Sequence, residues 1–168
     1  MAGENIQKTD LGGLRWYPSS SNYAYDISLL PNFIIIEKYK LAPTLNNLLT
    51  SIDFTVNAVI YDVVYEKFYE QDCISSIKKR IIEFNNQRIA SKLILAYRIF
   101  LIRHETDFLL SQRVFTYVKN QIDLDLLIDL KALFIGKQGK KKAEALLADY
   151  DHVCRFGEYS DYIRGKRS

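Results

Sequence analysis

The sequence predicts an α+β protein in which a small sheet is followed by a bundle of helices. Apolar and polar residues alternate in Tyr23–Leu30, and β-branched and aromatic residues dominate Thr55–Val64, as is typical of strands. From Asp72 onward, apolar residues recur at the three- and four-residue spacing of helices. Strands that precede helices along the chain are the order expected of an α+β fold. We therefore expect a small mixed or antiparallel sheet of about four strands, followed by about five helices.

The composition is that of an ordinary globular protein. With 168 residues, of which 48% are hydrophobic and 26% charged, the chain is long enough for one domain with a core or for two small ones. Its net charge of +3 is smaller than expected where nucleic-acid binding dominates a domain.

Cysteine and histidine are too sparse to suggest a disulfide framework or a metal cluster. Cys73, Cys154, His104 and His152 have no partners at ligand spacing. The sequence also shows no signal-peptide pattern and no apolar run of membrane-spanning length. These features predict a reduced cytoplasmic protein that does not contact a membrane.

Two strands are expected near the N-terminus. Leu11–Pro18 has the pattern of a glycine turn that leads into a short aromatic strand, which the proline ends. In the second strand, Tyr23–Leu30, large apolar side chains alternate with smaller or polar ones that include Asp26. The side chain of Asp26 should therefore lie on the face opposite the apolar residues.

A helix and a hairpin are expected in the middle of the chain. Thr44 stands where a helix N-cap is expected, immediately before a short apolar helix. The chain then becomes β-rich, and we predict a hairpin of Thr55–Val64 and Lys67–Glu70 that is covered on both faces. Residues 31–42 are predicted to be a loop or a short element packed under the sheet.

The second half of the chain is predicted to be helical. The expected helices are Asp72 to about Phe84, Gln87 to His104, Phe108 to about Gln121, Asp123 or Asp125 to Ile135, and Lys141 to about Phe156. Thr106-Asp107 is expected to cap the third of these helices, and Gly136 to end the fourth. The predicted domains are a small sheet domain of residues 1–70, a helical bundle of residues 71–157 and a flexible basic tail of residues 158–168.

A motif at the start of the predicted hairpin resembles a known family. The chain reads Asp53-Phe54-Thr55-Val56-Asn57-Ala58, and the poly(A) polymerase and CCA-adding type of nucleotidyltransferase carries a run close to Arg-Arg-Asp-Phe-Thr-Ile-Asn-Ala. By this resemblance, residues 44–100 are similar to the second half of the family's head domain and the start of its neck. Both arginines of the family's run are absent, because Ser51 and Ile52 stand in their places.

The following helix resembles the family's neck only in part. Its tail, Ala96-Tyr97-Arg98, fits the family's Ala-x-Arg pattern. The acidic pair that reads the incoming base in the family falls on Arg88 and Ile89 and is therefore lost. These departures favour a relative that has lost catalysis.

The resemblance implies nucleotide-binding roles for four residues. Asp53 and Asn57 would shape the sugar or triphosphate side of a cleft, while Lys92 and Arg98 would line the neck. A second interpretation is that Asp53 and Asn57 only cap backbone groups where a helix gives way to a strand.

Asp26 is the candidate catalytic and metal-binding residue. Tyr25-Asp26-Ile27 resembles the family's strand that carries the third active-site acid, and Gly12-Gly13 resembles the glycine turn that precedes it. The resemblance implies a magnesium ion at Asp26 if nucleotidyl transfer is retained, although an aspartate on an exposed strand face is also an ordinary surface residue. Two metal ions need further carboxylates, and Ile6–Asp10 holds no Asp-x-Asp pair. We expect either a piece of a longer enzyme or a descendant without catalysis.

Basic residues in the helical half are candidates for contacts to an RNA backbone. The candidates are Arg88, Arg103, Lys137, Lys140 and Lys141. The alternative is that they form solvated surfaces that keep apolar helices soluble. A Walker phosphate loop is excluded around the lysines, because the spacing differs and no strand precedes it.

Two classes of function remain open. The first is a degenerate nucleotidyltransferase-like module that binds a nucleotide or RNA but does not catalyse by itself, or that forms part of an active magnesium-dependent enzyme. The second is a protein-interaction module. An incomplete sheet has unpaired edges and an exposed apolar face, so we also expect self-association or docking through the strands that contain Asp26 and Thr55–Val64.

Overall fold

The computed structural model describes residues 5–9, 13–20, 23–86, 88 and 91–165. It confirms the α+β class. The chain forms two compact units, an N-terminal unit up to Ser51 and a C-terminal unit from Ile52 onward. The predicted boundary near residue 70 falls within the second unit. The predictions that involve Gly12, Gln87, Ile89 and the last residues of the tail, 166–168, lie outside the described residues.

The N-terminal unit contains a three-stranded antiparallel sheet. Its strands are β1 (Asn5–Lys8), β2 (Leu14–Tyr17) and β3 (Tyr25–Ile27), in the order β1-β2-β3. Both predicted strands are present but shorter than expected. Because side chains alternate between faces along a strand, the register places five apolar or aromatic side chains and one lysine on the same face of the sheet. That face carries Ile6, Lys8, Leu14, Trp16, Tyr25 and Ile27.

Two short helices complete the N-terminal unit. Residues 31–42, predicted as a loop or short element, contain α1 (Ile34–Lys38). The predicted cap of the next helix, α2 (Leu45–Leu49), is confirmed, because Thr44 Oγ1 accepts a hydrogen bond from the backbone N–H of Asn47 at 3.2 Å.

The predicted strand Thr55–Val64 is wrong in its first part, since Thr55–Asn57 forms a 3-10 turn. The buried Thr55 explains this difference. Its hydroxyl bonds to Ser76 Oγ at 2.7 Å, and its backbone N–H donates to the carbonyl of Glu83 at 2.9 Å. Contacts distant in sequence therefore override the local preference for a strand.

The rest of the predicted hairpin is present. Strand β4 (Val59–Asp62) pairs antiparallel with β5 (Lys67–Glu70). The side chains of β4 alternate between exposed and half-buried, and Phe68 of β5 is exposed. The apolar sequence predicted a hairpin that is covered on both faces, and this prediction is wrong, because part of the hairpin is exposed.

The helical half is interrupted by a small parallel sheet. Two-residue strands β6 (Ile81–Ile82) and β7 (Leu109–Leu110) pair in parallel. The helices are α3 (Cys73–Lys79), α4 (Lys92–Thr106), α5 (Gln112–Gln121), α6 (Leu124–Gln138), α7 (Lys140–Cys154) and α8 (Tyr159–Gly165). Two predicted helices, Asp72 to about Phe84 and Phe108 to about Gln121, are thus shortened where the chain forms these strands.

Left-handed backbone conformations explain two of these shifts. Helix α3 ends at Arg80, whose φ is 54°, so the predicted helix does not reach Phe84. Helix α4 ends at Asp107, whose φ is 55°, and α5 begins only after Ser111. The Thr106-Asp107 pair therefore ends one helix instead of capping the next, and the side chain of Ser111 caps α5.

Two further expectations about the helices are corrected. Helix α6 runs through Gly136 to Gln138 and ends at Gly139, whose φ of 76° favours glycine. Residues 159–165, expected to belong to a flexible tail, form α8. Tyr162 of α8 is completely buried, and its hydroxyl accepts a hydrogen bond from the backbone N–H of Leu110 at 3.0 Å.

The core of the C-terminal unit is aromatic and aliphatic. Its fully buried large side chains are Phe54, Ile82, Ile99, Phe100, Leu110, Val114, Val118, Leu130, Phe134, Leu146, Val153 and Tyr162. Within the described part of the chain, no helix combines the length and apolar character needed to cross a membrane.

Candidate functional site

The motif residues that the sequence analysis singled out form a hydrogen-bonded cluster in the C-terminal unit. Arg98 of α4 binds both carboxylate oxygens of Asp53, with its Nε on Oδ2 and its Nη2 3.1 Å from Oδ1. The backbone N–H of Phe54 also donates to Asp53 Oδ1, at 3.1 Å. A bidentate arginine–carboxylate pair fixes both geometry and charge. Asp53 therefore ties the motif to α4.

Asn57 joins this cluster through its side-chain amide. In the orientation that satisfies both amide atoms, its nitrogen donates to the Phe54 carbonyl at 2.6 Å and its oxygen accepts from Arg98 Nη2 at 2.9 Å. The reversed amide would place the nitrogen 3.4 Å from Asp53 Oδ1. We adopt the first orientation because its hydrogen bonds are shorter and more numerous. Three of the four predicted nucleotide-binding residues are thus bonded to one another.

A cleft of about 530 Å³ opens beside this cluster. It lies within the C-terminal unit and is lined by residues of α5 and by Phe84, Asn86 and Arg88. A volume in this range suits a small organic ligand. The cleft is lined by Asp53, Phe84, Asn86, Arg88, Leu95, Gln112, Arg113, Thr116, Tyr117, Asn120 and Gln121.

One polar stripe of α5 forms most of the lining. Gln112, Thr116 and Asn120 follow one another at four-residue spacing, and so do Arg113, Tyr117 and Gln121. Residues four apart lie above one another on a helix, so the two rows are adjacent. The opposite side of α5 buries Val114, Phe115 and Val118 in the core. The polar stripe therefore faces away from the core and toward the cleft. This stripe was missed by the sequence analysis, although the regular alternation of polar and apolar residues in α5 carried the signal.

Two arginines line the cleft, and one lysine lies beside it. Arg113 is 3.6 Å from Glu83 and more than half exposed, so this ion pair holds it only weakly. Arg88 makes no ion pair with any residue that the structure describes, although its backbone N–H donates to Asn86 Oδ1 at 2.6 Å. Lys92 does not line the cleft itself, but its Nζ is 3.3 Å from Oε1 of Gln121, which does.

An aromatic wall closes one side of the cleft. Phe84 contacts the Tyr117 ring edge to face, with centroids 5.5 Å apart. Phe84 also stacks on the buried Phe54 at 5.8 Å. Burial raises the pKa of the Tyr117 phenol, so this side chain is neutral near pH 7. The cleft thus combines a fixed apolar surface with neighbouring guanidinium groups.

Asp26, the candidate catalytic residue, lies in the N-terminal unit on β3. Its two carboxylate oxygens accept hydrogen bonds from Arg15 of β2 at 2.6 and 2.8 Å. These bonds hold the pKa of Asp26 below its usual value. The side chain lies on the face opposite Tyr25 and Ile27, as predicted.

The described residues do not fit a resident magnesium ion. A two-metal site needs several oxygen ligands around each ion, and the described chain contains no group of three or more aspartate, glutamate, histidine or cysteine side chains that could hold a metal. Asp26 offers one carboxylate, and both of its oxygens already face Arg15.

The other predicted RNA contacts fall into two groups. Arg103 is almost completely buried, and its Nη1 binds Oδ1 of Asp149 on α7, so its guanidinium is used within the helical bundle. Lys137, Lys140 and Lys141 are exposed around the turn between α6 and α7. The structure does not bring them together with the cleft lining.

Comparisons with known proteins add no assignment, because no family model matches the chain and searches of curated proteins and of solved structures gave no significant match.

Proposed function

We propose that the C-terminal unit is a binding module that takes a nucleotide into the cleft beside α5 and does not catalyse by itself. The observation that carries this proposal is the composition of the cleft, in which the Phe84–Tyr117 wall stands next to the guanidinium groups of Arg88 and Arg113. An aromatic surface contacts a base, and arginines are the preferred partners of phosphate.

The neutral side chains of the stripe complete the chemistry of such a site. Gln112, Asn120 and Gln121 present amide donors and acceptors, and Thr116 presents a hydroxyl. These groups match the edges of a base or the hydroxyls of a sugar. Asp53 contributes the carboxylate of the lining, but Arg98 neutralises it, so it need not repel a phosphate.

The resemblance to nucleotidyltransferases also supports a nucleotide as the ligand, although it assigned nucleotide binding to other residues. Asp53 and Arg98, which the resemblance assigned to nucleotide binding, would act by holding the cleft wall in place. An active magnesium-dependent enzyme is the alternative, and it would need carboxylates that the described residues do not supply near Asp26.

Replacing Arg113 by glutamine is expected to weaken ATP binding about tenfold, because a charge-assisted contact to phosphate is lost. Isothermal titration calorimetry of ATP and CTP, with and without magnesium, measures this effect. Lys131→Gln is the matched control, since it removes one exposed charge from α6, which does not line the cleft. An absence of binding to the wild-type chain, or equal affinities of wild type and Arg113→Gln, would contradict the proposal.

A second candidate function, self-association, is favoured by the apolar face of the β1-β2-β3 sheet. Ile6, Leu14, Tyr25 and Ile27 on this face are all exposed, and Lys8 is its one charged residue among the strand positions. Sheets bury such faces against one another in sandwiches. We propose that the same face of a second copy covers it, in an isologous contact.

The variant Ile27→Lys is expected to abolish this self-association, because it adds a second charged residue, beside Lys8, to the apolar face of each copy. Sedimentation equilibrium over a range of concentrations should then show a dimer for the wild type and a monomer for the variant. Circular dichroism verifies that the variant is folded. A wild-type chain that stays monomeric at the highest concentration contradicts this candidate.

A further inference from the structure

Cationic side chains lie near both ends of α5, with Arg113 in the cleft lining and Lys92 beside it. Arg113 is the second residue of the helix, and Gln121, which contacts Lys92, is its last residue. Eight residues of helix separate the two positions, about 12 Å at a rise of 1.5 Å per residue. The positive charges thus mark the two ends of an elongated site.

Between these ends, the α5 residues that line the cleft are polar and carry no charge. Thr116 and Asn120 offer a hydroxyl and an amide group there, and the ring of Tyr117 lies beside them. No acidic residue belongs to the lining part of α5. A ligand that lies along the helix therefore meets a cation, then a hydrogen-bonding and aromatic surface, and then a second cation.

This order of groups favours one class of ligand. A free nucleotide carries its phosphates at one end, so it can reach Arg113 or Lys92 but leaves the other unused. A single-stranded nucleic acid carries phosphates at intervals along its length with bases between them, and proteins bind it with cations that follow the backbone and rings that contact the bases.

We propose that the cleft binds single-stranded nucleic acid lengthwise, with one phosphate at Arg113 and a second at Lys92. This proposal rests on the proposed function, which it makes specific. The Phe84–Tyr117 wall then contacts a base between the two phosphates. Lys92 becomes a binding residue, as the sequence analysis suggested, but for a second phosphate and not for a free nucleotide.

The test compares two ligands and two variants of the full chain. The ligands are ATP and a fluorescent oligoadenylate RNA of about eight nucleotides, a length within the range that one single-strand site covers. Lys92→Gln should weaken RNA binding about fivefold and leave ATP binding unchanged, whereas Arg113→Gln should weaken both. Lys131→Gln should change neither, and circular dichroism verifies the fold of each variant.

Salt dependence gives a second readout. For a single strand, log K decreases as log salt concentration increases, and the magnitude of this slope is smaller by about 0.7 for each phosphate contact removed. Each of the two cleft variants should therefore lose about 0.7 from the slope measured with RNA. Simple unfolding of the cleft would not give this increment.

The outcomes separate this inference from the proposed function. If neither ATP nor RNA binds, both are overturned. If ATP binds as tightly as RNA, and Lys92→Gln binds RNA like the wild type with an unchanged salt slope, the lengthwise site is overturned and the nucleotide cleft stands.

Discussion

Replacing Tyr162 by alanine is expected to lower the free energy of unfolding of the C-terminal unit by about 3 to 5 kcal/mol. The Tyr162 ring is completely buried and stacks on Phe115, with centroids 5.3 Å apart and planes inclined by 28°. Its hydroxyl also satisfies the backbone N–H of Leu110 in β7. The substitution thus leaves a cavity and a buried donor without its partner.

Urea unfolding followed by far-ultraviolet circular dichroism measures this change. Tryptophan fluorescence is unsuitable, because Trp16, the single tryptophan, lies in the N-terminal unit. Tyr162→Phe separates the two causes, since it keeps the ring and should cost only about 1 to 2 kcal/mol. Tyr65→Ala is the control for losing an exposed tyrosine, because Tyr65 lies in the β4–β5 turn and is 76% exposed. A loss below 1 kcal/mol for Tyr162→Ala would show that α8 does not support the core.

Replacing Asp53 by alanine is expected to destabilise the C-terminal unit by about 2 kcal/mol. The carboxylate accepts from Arg98 and from the backbone N–H of Phe54, and its removal leaves the half-buried guanidinium without a counter-charge. The partial exposure of both side chains limits the cost, because water reaches the unpaired group.

A double-mutant cycle with Arg98→Ala tests whether the two residues act as a pair. The double variant should be less destabilised than the sum of the single variants, by a coupling of about 1 kcal/mol. Asp26→Ala provides the contrast, because its ion pair with Arg15 is exposed and should leave the unfolding midpoint unchanged. Strictly additive effects of Asp53→Ala and Arg98→Ala would show that the motif is not held to α4 by this pair.

Features set by a few neighbouring residues were predictable from the sequence. Thr44 caps the helix that follows it, as expected, and Asp123, one of the two predicted starts of α6, caps that helix, since a side-chain oxygen three residues before a backbone N–H suffices for a cap. The second hairpin strand, Lys67–Glu70, also has the predicted bounds. In these places the local preference and the tertiary structure agree.

Features that depend on distant partners were not predictable. Ile81 and Ile82 have a helical pattern in the sequence, but they pair with Leu109 and Leu110, which lie more than 25 residues away. Likewise, Gly136 is a plausible helix end by type alone, whereas Gly139 adopts the positive φ that ends α6. Local sequence does not reveal which of two such glycines will do so.

The candidate site was predictable only in part. The resemblance drew attention to Asp53, Asn57 and Arg98, which do meet in the structure. The cleft beside them depends on Arg113 and Tyr117, which no motif marks. Their side chains reach the cleft because α5 packs its other face into the core, and that arrangement follows from the assembly of several helices.

The most direct test of the nucleotide cleft is to map where ATP binds, by amide NMR of the full chain during a titration with ATP. The proposed function predicts saturable shift changes concentrated on the polar stripe of α5 and on Phe84, Asn86 and Arg88. Changes centred on Asp26, or on Lys137, Lys140 and Lys141, would place the site elsewhere. No saturable change at any amide would contradict nucleotide binding altogether.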